Sequence, residues 1–182
     1  WNYELIKPDT GFPMHSHKDM EIITYIRQGA ITHEDSLGNK GITRAGEIQI
    51  MSAGTGITHS EYNHEDDETL LFQIWIQPEK NNIKPRWETV NIHSNTKQGI
   101  RILASGQKEK IDDGIVTIFQ DTTLYSIIGY KGSSEYYSLS DKRHIYLAVS
   151  KGKVCINNIM VGSRDGVFIQ DEKELGFIFQ GE

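Results

Sequence analysis

Cysteine occurs once, at Cys155, so no disulfide can form within the chain. That scarcity fits a reducing compartment, and a cytoplasmic setting is expected. Positive charge is in the minority: 19 Lys and Arg stand against 25 Asp and Glu, for a net charge of −6. Without a basic stripe, direct nucleic-acid binding has no electrostatic support. No apolar run approaches the roughly 20 residues of a membrane-spanning helix, so no membrane association is expected. The opening residues carry no charged-then-apolar leader, and a start at Trp1 instead of Met leads us to expect a longer natural chain. Convincing helical periodicity is also missing beyond a turn or two.

What remains is strand-like. Glu21-Ile-Ile-Thr-Tyr-Ile26 is β-branched and aromatic, as strands prefer. Gly29–Glu34 follows, then the polar turn Asp35-Ser-Leu-Gly-Asn39. Gly41–Gly46 leads into Glu47-Ile-Gln-Ile-Met51, where apolar and polar residues alternate, and Leu70–Ile76 is a dense apolar run. Short strands at this spacing indicate a sandwich or barrel. Glu79–Pro85 is polar and Pro-bounded, and reads as the crossing between two units, 1–92 and 93–182. Ile115–Phe119, Leu124–Ile128, Ile145–Val149, Lys153–Ile156 and Val167–Ile169 are the strands expected in the second. Glycines ahead of strands at Gly29, Gly46, Gly152 and Gly166 echo one another, so two similar β-units in tandem are expected. Cys155 lies in an alternating apolar run and reads as a buried strand residue ahead of a reactive thiol.

Two histidine pairs dominate the chemistry. His15-Ser16-His17 and His59-Ser60-Glu61 each place two side chains on one face of a strand, because strand side chains alternate with period two. On facing strands they would present three imidazoles and one carboxylate to a common point, a ligand set for a divalent transition metal. A lone histidine is more often a hydrogen-bonded or surface residue; two pairs at strand spacing favour ligation. The second unit has no His-x-His pair and is expected to bind no metal. His33, His64, His93 and His144 read as solvated, and the acidic loop His64–Glu68 as a solvated face, since it lacks the spaced ligands of a calcium loop. Phe12, Met14, Met51, Phe72 and Trp75 read as mainly core, with one or two available to line an apolar pocket.

Gly11-Phe-Pro-Met-His-Ser-His-Lys-Asp-Met-Glu21 and Met51-Ser-Ala-Gly-Thr-Gly-Ile-Thr-His-Ser-Glu-Tyr-Asn63 resemble the signature of the pirin family of bicupins. The likeness continues through Gly29–Asn39 and Gln73-Ile-Trp-Ile76, and is closest to bacterial pirin-like proteins that act as quercetin 2,3-dioxygenases. Arg143–Val154 resembles the degenerate second cupin more loosely. One extra residue precedes Gly29, Ser52 stands where many cupins have proline, and both ends look short for the family.

The resemblance implies an all-β bicupin of two jelly-roll barrels. It implies one divalent metal ion, Fe first with Mn, Co, Ni, Cu or Zn as alternatives, held by His15, His17, His59 and Glu61. Glu21 is the rival carboxylate, since many cupins take their acidic ligand from that place. The implied reaction is cleavage of a flavonol such as quercetin with O2 and release of CO, with Glu61 as general base. The alternative is an iron-binding regulator acting through protein partners. A monomer is expected.

Overall fold

The computed structural model describes residues 1–92, 98–107 and 115–181, and among them every regular element is a β-strand. The all-β bicupin expectation holds. Packing gathers the strands into two compact units, one from Trp1–Thr96 with Ile102–Tyr125, the other from Lys97–Arg101 with Ser126–Glu182.

The first unit opens with β1 (Asn2–Ile6), β2 (Gly11–His17), β3 (Glu21–Gln28), β4 (Ala30–Asp35) and β5 (Lys40–Arg44). It continues with β6 (Glu47–Ser52), β7 (Ile57–Tyr62), β8 (Thr69–Ile76) and β9 (Arg86–Asn91). These form two antiparallel sheets, ordered β1-β8-β3-β6-β9 and β2-β7-β4-β5. Side chains from the two sheets meet inside: Gln49 and Gln73 of the first bond Glu61 of the second.

Parity along β3 explains why its first four residues are all buried. Ile22, Thr24 and Ile26 face inward toward the second sheet. Ile23 faces the other way. With Ile48, Ile50 and Ile74 it is covered by Leu103 and Ala104 of β10 (Gly99–Ser105) and Val116 of β11 (Val116–Thr117). Each such isoleucine contributes about 1.5–3 kcal/mol on burial. A sheet covered on both faces favours near-continuous apolar sequence, as in Leu70–Ile76 of β8, while β6 alternates and turns Gln49 toward Glu61.

The second unit contains β13 (Ser134–Ser138), β14 (Ile145–Ala148), β15 (Lys153–Ile156), β16 (Ile159–Gly162), β17 (Gly166–Ile169) and β18 (Glu174–Gly181), while β12 (Thr123–Ile128) pairs with β10. The sheets β13-β18-β15-β16 and β14-β17 enclose Val149, Val154, Ile156, Val161, Ile169, Leu175 and Phe177. Cys155 is on β15 as expected, but only half-buried, because Val154 and Ile156 take the inward parity.

Several expectations need correction. Glu79–Pro85 does not cross between units. It returns the chain from β8 to β9 within one sheet, tied down where Thr55 N donates to Ile83 O at 3.0 Å and Asn82 N to Asp19 Oδ1 at 2.6 Å. Ile102–Tyr125 packs with the first unit, because Leu103 and Val116 cover its isoleucines. Ile115–Phe119 contains only the two-residue β11, and β1, β10, β13, β16 and β18 are strands that the alternation did not reveal. Met51 and Phe72 are core, but Met14 and Trp75 are 57% and 45% exposed.

Candidate metal centre

His15 lies directly opposite His59 in the β2–β7 ladder. A bulge between Phe12 and His15 inserts one extra residue into β2, so Phe12, not Pro13, stands opposite Glu61. The Pro13 carbonyl then accepts a hydrogen bond from His15 Nδ1 at 2.7 Å. A carbonyl can only accept, so Nδ1 carries the proton and Nε2 keeps a free lone pair.

His15, His17 and His59 converge. Their ring centroids are 4.7, 4.5 and 5.1 Å apart, and one ring nitrogen from each lies within 4.8 Å of the others. His59 is buried, and its Nε2 has no hydrogen-bond partner. A buried polar atom without a partner is costly unless something else satisfies it. A cation between the three rings would do so. Burial, then neighbouring His15, His33 and His17, push the His59 imidazole down to about 3. Burial and His15 lower His17 as well. Neutral imidazole is the form that binds metal. The residues present therefore fit a divalent transition ion.

Glu61 is buried and held at both oxygens. Gln49 Nε2 donates to Oε1 at 2.5 Å and Gln73 Nε2 to Oε2 at 2.9 Å. Gln49, Thr24 and Gln73 form an in-register row across β6, β3 and β8. Each amide is oriented by a further donor: Thr43 Oγ1 to Gln49 Oε1 at 3.2 Å, and Trp75 Nε1 to Gln73 Oε1 at 2.9 Å. The amide nitrogens must then face the carboxylate. Burial raises the Glu61 carboxyl above the ordinary range, against the pull of its amide donors and of His15. Glu61 does not join the three-histidine group. Its close nitrogen neighbours are on His59 and His33.

His33, expected to be solvated, is fully buried. Its Nε2 lies 3.0 Å from Asp35 Oδ2 and its Nδ1 3.4 Å from His59 Nδ1. Trp87 stacks on its ring at 4.8 Å and 7°. With both nitrogens engaged, His33 has no lone pair left for a cation. The signal was in the sequence: His33-Glu34-Asp35 is a third pair at strand spacing. His64 and His144 are exposed, as is most of the loop around His64. His93 lies outside the described residues.

Glu21 is no rival. It sits three residues from Thr24 and so on the opposite face of β3. There it accepts from Ser52 Oγ at 3.0 Å, and Arg86 Nε donates to the same hydroxyl at 3.0 Å. Trp75 stands edge-on to His17, with centroids 4.9 Å apart, at the exposed rim of the centre. Gly54, in the turn before β7, adopts φ +47°, and a Cβ there would overlap the Ile83 carbonyl. Only glycine lets that turn close against the 79–85 segment.

Comparison with known proteins identifies the family. The Pirin family model matches residues 2–76, and the model for the quercetinase C-terminal cupin domain matches residues 102–180. A provisionally named quercetin 2,3-dioxygenase of Zymomonas mobilis is 49% identical over 91% of this chain and 70% of its own length. The chain belongs to the pirin family. The quercetin 2,3-dioxygenase of Escherichia coli K12 is 42% identical to this pirin, over 96% of this chain and 74% of its own. The crystal structure of the bacterial pirin YhhW from Escherichia coli in complex with nickel(II) superposes with a TM-score of 0.91 at 39% identity, covering 99% of this chain and 76% of that one.

Proposed function

We propose that this pirin is a metal-dependent dioxygenase that opens the central ring of a flavonol such as quercetin with O2 and releases CO. The observation that carries the reading is the partnerless, buried Nε2 of His59 facing two further imidazoles. The names of the relatives supply the reaction class.

His15, His17 and His59 would hold the ion, with Glu61 as the fourth ligand or the base beside it. Iron is proposed first, with Mn, Co, Ni, Cu or Zn acceptable to the same nitrogen and oxygen donors. When bound, such a cation supplies Lewis acidity that lowers the pKa of a coordinated hydroxyl. Glu61 takes the flavonol 3-hydroxyl proton at a carboxylate oxygen, and its raised proton affinity makes it a better base near neutral pH than an ordinary carboxylate. Gln49 and Gln73 keep that carboxylate from rotating away. Trp75 offers a flat aromatic surface at the rim for a planar substrate. Both atoms of O2 end in the ring-opened ester, and one ring carbon leaves as CO.

The test is aerobic incubation of protein loaded with each metal, following flavonol absorbance and evolved CO. Turnover with at least one ion is expected. Stoichiometric metal binding with no loss of flavonol and no CO for any ion would overturn the dioxygenase reading.

A further inference from the structure

The inner face of the second sheet holds more than the histidine cluster. In the β4–β7 ladder Asp35 stands opposite His59, and His33 opposite Glu61. The result is a line of groups running from the Asp35 turn to the metal-facing ring. We propose that His33 and Asp35 are positioning residues that set the tautomer of His59, so that Nε2 presents its lone pair to the metal. The inference rests on the assignment of His59 as a ligand.

The direction of the line follows from counting protons. Asp35 is surrounded by donors: Oδ1 accepts from the backbone N–H groups of Leu37 and Asn39 at 2.9 and 3.0 Å, and Oδ2 accepts from Asn39 Nδ2 at 2.9 Å. A carboxylate so held can only accept from His33, so His33 Nε2 carries a proton. A neutral imidazole has one N–H, which leaves His33 Nδ1 as an acceptor. That nitrogen faces His59 Nδ1 at 3.4 Å. Two lone pairs would repel there, so His59 Nδ1 carries the proton between them. His59 Nε2 is then unprotonated, and it is the buried nitrogen without a partner. Metal-bound histidines commonly donate their second N–H to a partner that fixes the ring. Here the partner is another imidazole, itself fixed by a carboxylate.

Trp87 completes the device. Its indole lies flat on His33, and Gly41, opposite His33 on β5, has no side chain to obstruct it. The His33 ring can neither tilt nor flip without disturbing that stack.

Asp35→Asn reverses the line while keeping the shape. Two backbone N–H groups would draw the carboxamide oxygen to the Oδ1 position, turning NH2 toward His33 Nε2. His33 must then accept there, carry its proton on Nδ1, and force the His59 proton onto Nε2, where the metal belongs. His33→Phe keeps a flat ring on Trp87 and removes both nitrogens, leaving His59 without direction.

The experiment combines side-chain 1H–15N correlation spectra of the metal-free protein with calorimetric titration of NiCl2. In the wild type the His59 Nε2 resonance is expected to be that of an unprotonated nitrogen. Asp35→Asn should shift it to the protonated position and weaken Ni2+ binding about 10–100-fold. His33→Phe should give a mixture of both forms and a smaller loss. If the wild type binds no Ni2+, the ligand assignment is wrong, but the spectra still decide the tautomer. If both variants keep an unprotonated Nε2 and wild-type affinity, the positioning role is overturned.

Discussion

His15 and His59 face each other across the β2–β7 ladder, ring centroids 4.5 Å apart, with the Nε2 of His59 buried and without a partner. Two imidazoles so placed, with His17 beside them, bring three ring nitrogens within 4.8 Å of one another, the basis of the proposed metal site. Replacing His15, His17 or His59 singly with Ala should reduce Ni2+ affinity beyond the roughly 10–100-fold produced by losing an outer hydrogen-bond partner. Calorimetric titration measures it. A variant that binds like the wild type would remove that histidine from the ligand set.

Acid should destabilise the metal-free protein. His59 is held at about 3 in the folded state, well below the ordinary 6.5, and His33 and His17 are also lowered. The unfolded chain therefore binds more protons in this window, and stability falls as pH drops from about 6.5 toward 3. Glu61 acts in the opposite sense: its raised pKa favours the folded state as pH falls, and offsets part of the loss. Urea midpoints across this range should decline, more steeply in Glu61→Gln than in the wild type. Equal slopes would mean that Glu61 does not titrate as its burial requires.

The socket around Glu61 can be tested one donor at a time. Gln49→Leu or Gln73→Leu leaves one carboxylate oxygen buried without its amide, at a cost of about 1–3 kcal/mol. Urea unfolding reads the change. A cost below ~0.5 kcal/mol, inside the lower limit for a net hydrogen bond, would show that the other neighbours hold the carboxylate unaided.

Gly41 should not tolerate a methyl group. A Cβ there would overlap the Trp87 ring. Gly41→Ala is expected to destabilise by about 1–3 kcal/mol through overpacking. It should also change near-ultraviolet circular dichroism as the indole leaves His33. Unchanged dichroism would contradict the stack at 7°.

Trp75 should affect substrate more than stability, because nearly half its surface is exposed. Trp75→Ala is expected to raise KM for quercetin with a modest shift in melting temperature. An unchanged KM would place the substrate elsewhere on the rim.

Much of this was legible in the chain itself. Period-two spacing pairs His15 with His17 and His59 with Glu61 on single strand faces, whatever the rest of the fold does. The β-branched, aromatic run Glu21–Ile26 marked a strand, and the dense apolar run Leu70–Ile76 a buried one. Less was legible where polar residues are buried. His33 read as solvated because composition cannot say which face of β4 turns inward; pairing opposite Glu61 decides that. Glu21 read as a rival ligand because parity becomes binding only once Thr24 is known to face the centre. Trp75 read as core because nothing local reveals that its strand ends at an exposed rim.

The sequence by itself determined a β fold and the pairing of His15 with His17 and of His59 with Glu61 on single strand faces, because both depend on alternation along single strands. Only the tertiary structure decided which carboxylate faces the histidines, and that His33 and Asp35 stand behind His59. Those relations join residues on different strands, and the register between strands is set by the folded sheets and not by any segment alone.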